Sequence, residues 1–445
     1  MTTKVSIGLG GTGSNSAAST LSSIGAVAKS GDTMTGQLNI SSGGLLVTGT
    51  ANVSANVAVG AGSQTAPSLT RSGDTDTGIY FPAANEMAIT TGGTVAQAFN
   101  SNGVFFRNRI INGDMRIDQR NAGASITPTS GQYTVDRWTS LCTQASKYST
   151  QQNAGSVTPP TGFSNYLGIT SLSAYSVLTG DTFLIDQRIE GFNFSDMEWG
   201  TANARTITFS FWVRSSLTGT FGGALANSAS NRSYTFSYTI SSANTWEYKT
   251  ITVPGDTTGT WVGSTNGIGV IVRFGLGSGS TYTATANSWA AGNFVQPPST
   301  TSVVGTNGAT LYITGVQLET GSVATPFERR PFGTELMLCQ RYFTRFNGSA
   351  LDRPWCVSAI YDSTTAYGVI PLPVTMRADP TITFSGSTVL RLLALGTGFS
   401  ASASSAGNVT PQAFEVYGTY SGLTQGGSWM RASGASQWIA ASAEL

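Results

Sequence analysis

SGDTMTG at residues 30–36 and SGDTDTG at residues 72–78 are two copies of one seven-residue frame near the start of the chain. In each copy Ser, Gly and Asp, which favour tight turns, precede a short extended run that contains Thr and Ile. This alternation of turn and short strand continues through the first hundred residues, as in a repeat architecture. The repetition predicts an elongated β-rich shaft over residues 31–104, preceded by a separate segment at residues 1–30.

The low apolar content of this region indicates that several chains assemble the shaft. Residues 1–103 contain no Trp, whereas all nine Trp of the chain lie at or beyond Trp138. One copy buries too little apolar surface to offset the entropy lost on folding, but parallel copies wound about one axis bury more. The sequence therefore predicts a homo-oligomer. A disordered Gly-, Ser- and Thr-rich linker is the alternative, and the strand-like spacing of Val in ANVSANVAVG at residues 51–60 argues against it.

The composition of the whole chain narrows the class of protein. It has 445 residues, of which 10% are charged, and a formal net charge of +1, so neither nucleic acid nor an anionic membrane is favoured as a partner. Its content of Thr, Val, Tyr and Phe favours sheets over long helices. The first residues, MTTKVSI, lack the apolar core of a signal peptide, and no long apolar run predicts membrane insertion. Three cysteines without a CxxC pair indicate synthesis in a reducing cytoplasm.

Residues 105–330 are predicted to form an antiparallel β-sandwich of the jelly-roll type. In RTITFSFWVR at residues 205–214, alternate positions from Ile207 onward are apolar, so one strand face is predicted to be buried and the other wet. SYTFSYTI at residues 233–240 and GIGVIVRF at residues 267–274 repeat this pattern. Several such strands joined by Gly-, Ser- and Asn-rich loops favour two packed sheets.

The absence of histidine limits the chemistry that this chain can perform. It removes Ser-His-Asp and Cys-His nucleophile systems and His-ligated zinc, so only carboxylate, Lys, Tyr or Cys chemistry remains. A carboxylate pair is the candidate acid and base for sugar hydrolysis. Charge pairing with Arg188 on a sheet face is the competing interpretation, because the carboxylates alternate with apolar residues. The densest carboxylate group is Asp181, Asp186, Glu190, Asp196 and Glu198.

Two further motifs match known ligand loops only in part. GLGGTG at residues 8–13 fits the G-x-G-x-x-G dinucleotide pattern, but Asp32 follows a polar turn instead of a second buried strand. DTDTG at residues 74–78 begins like a calcium loop, but Gly78 and Asn85 stand where ligands are required. The sequence therefore predicts no nucleotide, metal or other cofactor.

Three blocks of sequence carry a resemblance to a known family. The first joins GGTG at residues 10–13 to both copies of the repeated frame, the second is NRIINGDMRIDQRNAGAS at residues 108–125 followed by YTVDRW, and the third begins with TLYITGVQLETGSVATPFERRPFGTEL at residue 310. The first block resembles the shaft of tailed-bacteriophage tail fibres. The second resembles the junction at which such fibres enter a globular β-sandwich. The third resembles the end of that sandwich and the start of a distal domain.

The resemblance implies a homotrimeric fibre that belongs to the virion and is made in the host cytoplasm. Residues 1–30 would attach to tail or adaptor proteins of the particle, and the C-terminal end would bind a surface glycan or outer-membrane receptor of the host. The leading alternative is a tailspike-type polysaccharide depolymerase that uses a carboxylate pair drawn from Asp181, Asp186 and Glu190. A connector or decoration protein that never contacts the host is a third interpretation.

Residues 331–445 are predicted to form a smaller, distal β-domain and to contain the receptor-binding surface. Thr334 is predicted to cap a short helix, with Arg341 near its C-terminal end. Aromatic residues in the loops beyond it offer a large contact area at low entropic cost, and Arg side chains pair with anionic sugars. The candidate receptor-binding residues are Tyr361, Tyr417, Tyr420, Trp429, Arg353 and Arg431.

Overall fold

A computed structural model describes residues 6–7, 10–11, 50–54, 56–99, 106–348, 353–394 and 396–445. The chain divides into two compact units, Met1–Val59 and Gly60–Leu445. In the first unit the strands β1 (Ser6–Ile7) and β2 (Gly10–Gly11) pair antiparallel. The first copy of the repeated frame and most of the predicted attachment segment lie outside the described residues. The shaft and the trimer therefore stay predictions.

The second copy of the repeated frame lies in a four-stranded antiparallel meander, which contains the strands β3 (Leu69–Arg71), β4 (Asp74–Tyr80), β5 (Met87–Thr91) and β6 (Thr94–Phe99) in that order. Ser72 and Gly73 form the turn between β3 and β4. Gly73 has a φ of +82°, a left-handed conformation that favours glycine. The five residues that begin like a calcium loop lie in β4, which is a strand.

Two antiparallel sheets form the sandwich that follows the meander. The five-stranded sheet has the order β15-β12-β18-β10-β9, and the seven-stranded sheet has the order β17-β14-β13-β16-β11-β8-β7. The strands are β7 (Gln132–Tyr133), β8 (Thr139–Cys142), β9 (Tyr148–Gln152), β10 (Leu167–Ser171), β11 (Thr182–Glu190), β12 (Ile207–Ser215), β13 (Gly219–Ala226), β14 (Arg232–Ile240), β15 (Glu247–Val253), β16 (Ile268–Ser278), β17 (Ser288–Ala291) and β18 (Thr310–Thr320).

The alternation read from the sequence locates the core of the sandwich correctly. The apolar residues of β12 and β14 point between the sheets, where the Phe209 ring contacts those of Phe211 and Phe236, and Phe274 of β16 contacts both Phe209 and Phe211. The predicted fold class is therefore confirmed: the described chain is all-β, with a jelly-roll-like antiparallel sandwich followed by a smaller β-domain.

The prediction that the outward strand faces are wet is wrong at several positions. Thr208 is buried and its hydroxyl donates to the Gly321 carbonyl oxygen at 2.8 Å, because the chain beyond β18 folds over this face. Ser233 is also buried and donates to the Gly292 carbonyl oxygen at 2.8 Å. Long connections thus cover polar residues that the strand period places outside, and their hydroxyls are satisfied by loop carbonyls.

The smaller C-terminal domain, which the sequence predicts to be distal and which we call the distal domain, begins with the helix Phe332–Gln340. The prediction that Thr334 caps this helix is wrong, because Pro331 is the N-cap residue and Thr334 already lies in the first turn. The ring of Pro331 fixes its φ at −53°, close to the value of a helix, and it lacks the N–H that a helix start leaves unpaired. Arg341 follows the helix as predicted and forms an ion pair with Glu190 of the sandwich at 2.5 Å.

Two antiparallel sheets pack against each other in the distal domain, in the orders β19-β28-β22 and β24-β23-β27-β20-β21-β26-β25. The strands are β19 (Phe343–Asn347), β20 (Cys356–Ile360), β21 (Thr365–Pro371), β22 (Thr381–Phe384), β23 (Leu390–Ala394), β24 (Thr397–Ser400), β25 (Ala403–Gly407), β26 (Ala413–Thr419), β27 (Ser428–Ala432) and β28 (Trp438–Ser442). No helix in the described part of the chain has the length and apolar character needed to cross a membrane.

The residues after β28 return to the sandwich. The Glu444 carboxylate forms ion pairs with Arg137 and, at 2.6 Å, with Arg120, and all three side chains are largely buried. Arg137 also lies against the ring of Tyr342, 3.5 Å from its centroid. Separating a buried ion pair leaves uncompensated charge, so these contacts favour one fixed arrangement of the two domains.

Candidate functional site

The outward face of the larger distal sheet carries a cavity that we call the tyrosine pocket. It has a volume of about 410 Å³. Tyr367 of β21 and Tyr417 of β26 are directly opposite each other, with ring centroids 6.1 Å apart and ring planes at 29°. The pocket is lined by Tyr361, Asp362, Thr365, Tyr367, Glu415 and Tyr417.

A glycine after each strand tyrosine determines how closely the sheet packs beneath the pocket. A side chain at Gly368 or Gly418 would point to the inner side of the sheet. A Cβ atom at Gly368 would lie 2.6 Å from the Cys356 sulfur. A Cβ atom at Gly418 would lie 2.3 Å from the Tyr420 hydroxyl oxygen. Both distances are shorter than van der Waals contact, so the Tyr-Gly pairs combine an outward ring with tight packing on the inner side.

A hydrogen-bonded turn presents Tyr361 beside this pair. The Asp362 carboxylate accepts hydrogen bonds from the N–H groups of Thr364 and Thr365, both at 2.7 Å. These bonds, that of Thr364 first, lower the pKa of Asp362, so it is charged at neutral pH. Leu423 donates its N–H to the Ser363 carbonyl oxygen at 2.9 Å, which holds the turn to the domain. Tyr361 itself is 73% exposed.

Glu415 supplies the second carboxylate of the tyrosine pocket. One of its oxygens accepts hydrogen bonds from the Tyr417 hydroxyl and, at 2.7 Å, from the Asn408 side chain. The hydrogen bond to Glu415 raises the pKa of Tyr417. The lining residues thus combine three aromatic rings with two carboxylates and include no Lys or Arg. Such a site suits a ligand with hydroxyl or amine donors and disfavours an anionic ligand.

The structure brings together two of the six candidate receptor-binding residues, Tyr361 and Tyr417. Trp429 lies on the same outward face opposite Val357 but does not line the pocket, and Arg353 is exposed before β20. Tyr420 and Arg431 are only 5% and 3% exposed. Tyr420 turns inward and packs beneath Gly418. A receptor contact requires accessible surface, which these two side chains lack.

Sequence reasoning missed Tyr367, Asp362, Thr365 and Glu415. Tyr367 and Glu415 lie within strands, and only the pairing of β21 with β26 brings Tyr367 next to Tyr417, which is fifty residues further along the chain. The one local signal is the dipeptide Tyr-Gly, which occurs in AYG and in VYG. Strand alternation places both tyrosines opposite to their glycines, on a common outward face.

Of the carboxylates considered for hydrolysis, Asp181 and Glu190 are held by structural partners, whereas both oxygens of the buried Asp186 lack a hydrogen-bond partner among the described residues. Asp181 accepts the Tyr175 hydroxyl at 2.7 Å, and although burial raises its pKa, this bond and its other hydrogen bonds bring the pKa below the usual value. Glu190 is held by Arg341. Asp186 is 1% exposed, and burial raises its pKa to about 6 against the opposing effect of nearby Arg residues.

The spacing of these carboxylates also does not match a hydrolytic pair. Asp186 and Glu190 lie four residues apart on β11, about 13 Å along the strand at ~3.3 Å per residue. Paired glycosidase carboxylates lie about 5–9.5 Å apart. Within the described residues, no three His, Cys, Asp or Glu side chains lie close enough to hold a metal ion.

The solved structures to which this chain is similar include carbohydrate-binding modules. No family model matches the sequence, and no curated protein matches it. A putative sugar-binding protein from Bacteroides thetaiotaomicron matches 48% of this chain and 100% of its own, with 10% identity and a TM-score of 0.29. A family 11 carbohydrate-binding module from Clostridium thermocellum, in complex with a mixed-linked tetrasaccharide, matches 45% of this chain and 96% of its own, with 14% identity and a TM-score of 0.22. At these sequence identities and TM-scores, the similarity does not indicate a function for this chain.

Proposed function

We propose that this chain is a host-attachment fibre of a tailed-bacteriophage virion, and that its distal domain binds a host surface glycan through the tyrosine pocket. The observation that carries the binding step is the Tyr367–Tyr417 pair with Tyr361 beside it and two carboxylates at its edge. Tyrosine rings offer flat apolar faces to the C–H faces of a sugar, and carboxylates accept hydrogen bonds from its hydroxyls. The charge of the pocket favours a neutral or amine-bearing sugar.

The virion context of the proposal is supported by the repeated frame and by the three blocks that resemble tail fibres. In this proposal residues 1–30 attach to tail or adaptor proteins, and three chains share one shaft. Three distal domains on one shaft then bind together, so a modest affinity at each tyrosine pocket gives firm attachment through effective concentration.

Competition for adsorption tests this function. Host cells are incubated with the purified chain before the phage that carries it is added, and free particles are counted. We expect adsorption to slow as the protein concentration rises, and native mass measurement to give three times the protomer mass of 46.2 kDa. Unchanged adsorption would favour a connector protein. Release of oligosaccharides from host glycan by the purified chain would favour a depolymerase.

A further inference from the structure

A second cavity, which we call the sandwich groove, lies between the meander and the outward face of the five-stranded sheet. Its volume is about 1010 Å³, near the upper end of the range of small-ligand sites. Ser322 anchors the meander at this edge, because its hydroxyl donates to the Glu86 carboxylate at 2.7 Å. Four aromatic side chains and one guanidinium lie among the residues that line the groove: Trp212, Tyr248, Phe163, Phe327 and Arg329.

Two aromatic pairs form the walls of the sandwich groove. Trp212 of β12 and Tyr248 of β15 are directly opposite each other, with ring centroids 5.4 Å apart. Phe163 and Phe327, from the connections around β10 and beyond β18, meet edge to face at 5.2 Å. Tyr248 is 43% exposed, so a ring large enough to stack on this wall can reach it. Four aromatic side chains from distant parts of the sequence thus converge on one cavity.

A glycine at a β-bulge permits this convergence. The register between β12 and β18 shifts between Ser210 and Trp212, and Gly315 of β18 has a φ of +61° at this point. A Cβ atom at Gly315 would lie 2.7 Å from the Phe163 ring and 3.1 Å from the Trp212 ring. A bulge with a left-handed glycine is a common device for redirecting a neighbouring side chain. Here it lets the two aromatic pairs approach each other.

Arg329 gives the sandwich groove its charge. Its guanidinium lies over Phe163, 4.5 Å from the ring centroid, and 5.6 Å from that of Phe327. Arg329 is exposed and forms neither a hydrogen bond nor an ion pair with a described residue, although its charge reaches the Asp114 carboxylate, where it opposes the rise in pKa that burial causes. Other Arg residues around this sandwich, such as Arg232 with Asp256, have a carboxylate partner. An exposed guanidinium held in place by stacking is a ready partner for a carboxylate from a ligand.

We propose that the sandwich groove is a second glycan-binding site, and that it takes an oligosaccharide bearing a carboxylate. A sugar ring stacks on Trp212 and Tyr248, and the sugar carboxylate pairs with Arg329. This site differs from the tyrosine pocket in position and in charge, and it does not depend on the proposed attachment function.

An immobilised set of uronic-acid and sialic-acid oligosaccharides, each beside its carboxyl-reduced neutral counterpart, tests the inference. We expect the intact protein to bind at least one acidic member, and Trp212→Ala to weaken that binding by tenfold or more. Arg329→Gln should weaken binding of the acidic member about tenfold and leave binding of its neutral counterpart unchanged. Trp212→Phe, which keeps an aromatic ring, should retain most of the affinity.

Matched controls distinguish sugar binding in the groove from binding elsewhere on the chain. Trp429→Ala removes an exposed Trp on another sheet and Arg71→Gln removes an exposed charge in the meander, and neither should change acidic-sugar binding. The double variant Tyr367→Ala, Tyr417→Ala should also retain acidic-sugar binding. The test of the groove therefore gives the same result whether or not the tyrosine pocket binds a host glycan.

Three outcomes would overturn the inference. The first is that no acidic oligosaccharide binds. The second is that Arg329→Gln weakens acidic and neutral members equally. The third is that Trp212→Ala leaves acidic-sugar binding unchanged but lowers the oligomeric state in native mass measurement, which would assign the groove to contact with a second copy of the chain.

Discussion

The sandwich groove and the tyrosine pocket both present aromatic rings, but the charged side chains beside those rings have opposite sign. Both place aromatic rings on the outward face of an antiparallel sheet. In the groove a glycine permits close packing against the rings themselves, whereas in the pocket the glycines permit close packing on the inner side of the sheet. The groove adds the guanidinium of Arg329, whereas the pocket adds the carboxylates of Asp362 and Glu415. Aromatic surface supplies affinity for sugar rings in general, so the charged residues beside it determine which sugars each site accepts.

The largest expected effect follows from removing the stacked pair of the tyrosine pocket. The double variant Tyr367→Ala, Tyr417→Ala should raise the protein concentration that half-blocks adsorption about 100-fold, or ~2.8 kcal/mol of binding free energy at ~1.4 kcal/mol per tenfold. The physical reason is that every copy in the proposed trimer loses its pair of stacking rings at once. Val369→Ala, an exposed change on the same strand, is the control and should have little effect. A double variant that still blocks adsorption would remove the pocket from the attachment surface.

The next prediction contrasts a buried carboxylate of the sandwich with an exposed one of the pocket. Burial raises the folded-state pKa of Asp186 to about 6, whereas the pKa of Asp362 is lowered by hydrogen bonds. A raised folded-state pKa means that the stability contributed by protonated Asp186 is present below pH 4 and lost as the pH rises through 6. Asp186→Asn should therefore stabilise the protein at pH 8, on the order of 2–3 kcal/mol at ~1.4 kcal/mol per pKa unit, and have little effect near pH 4.

Thermal unfolding at several pH values measures this difference. Asp362→Asn is the opposite case, because a carboxylate with a lowered pKa stabilises above its unfolded pKa, so this change should lower the melting temperature at pH 8 and lose its effect as the solution is acidified. If Asp186→Asn instead lowered the melting temperature at pH 8, attraction to the surrounding Arg residues would outweigh burial.

A smaller effect is expected where glycine shapes the sandwich groove. Gly315→Ala places a side chain at a φ of +61° and against the rings of Phe163 and Trp212. We expect a loss of about 1–2 kcal/mol in the free energy of unfolding, together with weaker binding of acidic sugars. Gly422→Ala, also at a positive φ but with open space around its Cβ position, separates backbone strain from the clash with the rings. If the two variants lost the same free energy of unfolding, the rings of Phe163 and Trp212 would have to move aside without destabilising the protein.

The smallest expected effect concerns the charge of the tyrosine pocket. Glu415→Gln keeps the size of the side chain and removes its charge, so binding of an amine-bearing oligosaccharide such as a chitosan oligomer should weaken two- to threefold at low salt. Binding of its N-acetylated neutral counterpart should change little, because only the charge of the pocket is altered. Calorimetric titration of both oligomers compares them. Equal weakening of the two would indicate that Glu415 acts only by orienting Tyr417.

The sequence predicts the inner surfaces of this protein better than its outer ones. The period of two in β12 and β14 is sufficient to place Phe209, Phe211 and Phe236 in the core, because each strand alone carries that signal. Burial of Thr208 depends on a connection that follows a different strand, and no local pattern reports it. Fold class and core were therefore predictable, whereas the covered outer faces were not.

The sequence predicts only part of the candidate site. Tyr361 follows from its place in a polar loop, and Tyr417 was found as an aromatic residue of the distal domain. Tyr367, Asp362 and Glu415 require knowledge of which strands pair and in what register. The sandwich groove depends on contacts between the meander and the sandwich and on a bulge at Gly315, neither of which strand periodicity encodes.

The way in which the distal domain is anchored has a mechanical consequence. Its first strand, β19, leaves the sandwich through the helix, and its last strand, β28, pairs antiparallel with β19 and leads back to the ion pairs of Glu444. A pulling force applied at the outer end of this domain is therefore divided between two neighbouring chain segments that are loaded side by side. Tension on the segment after β28 would have to break the buried ion pairs of Glu444 before it could separate β28 from β19.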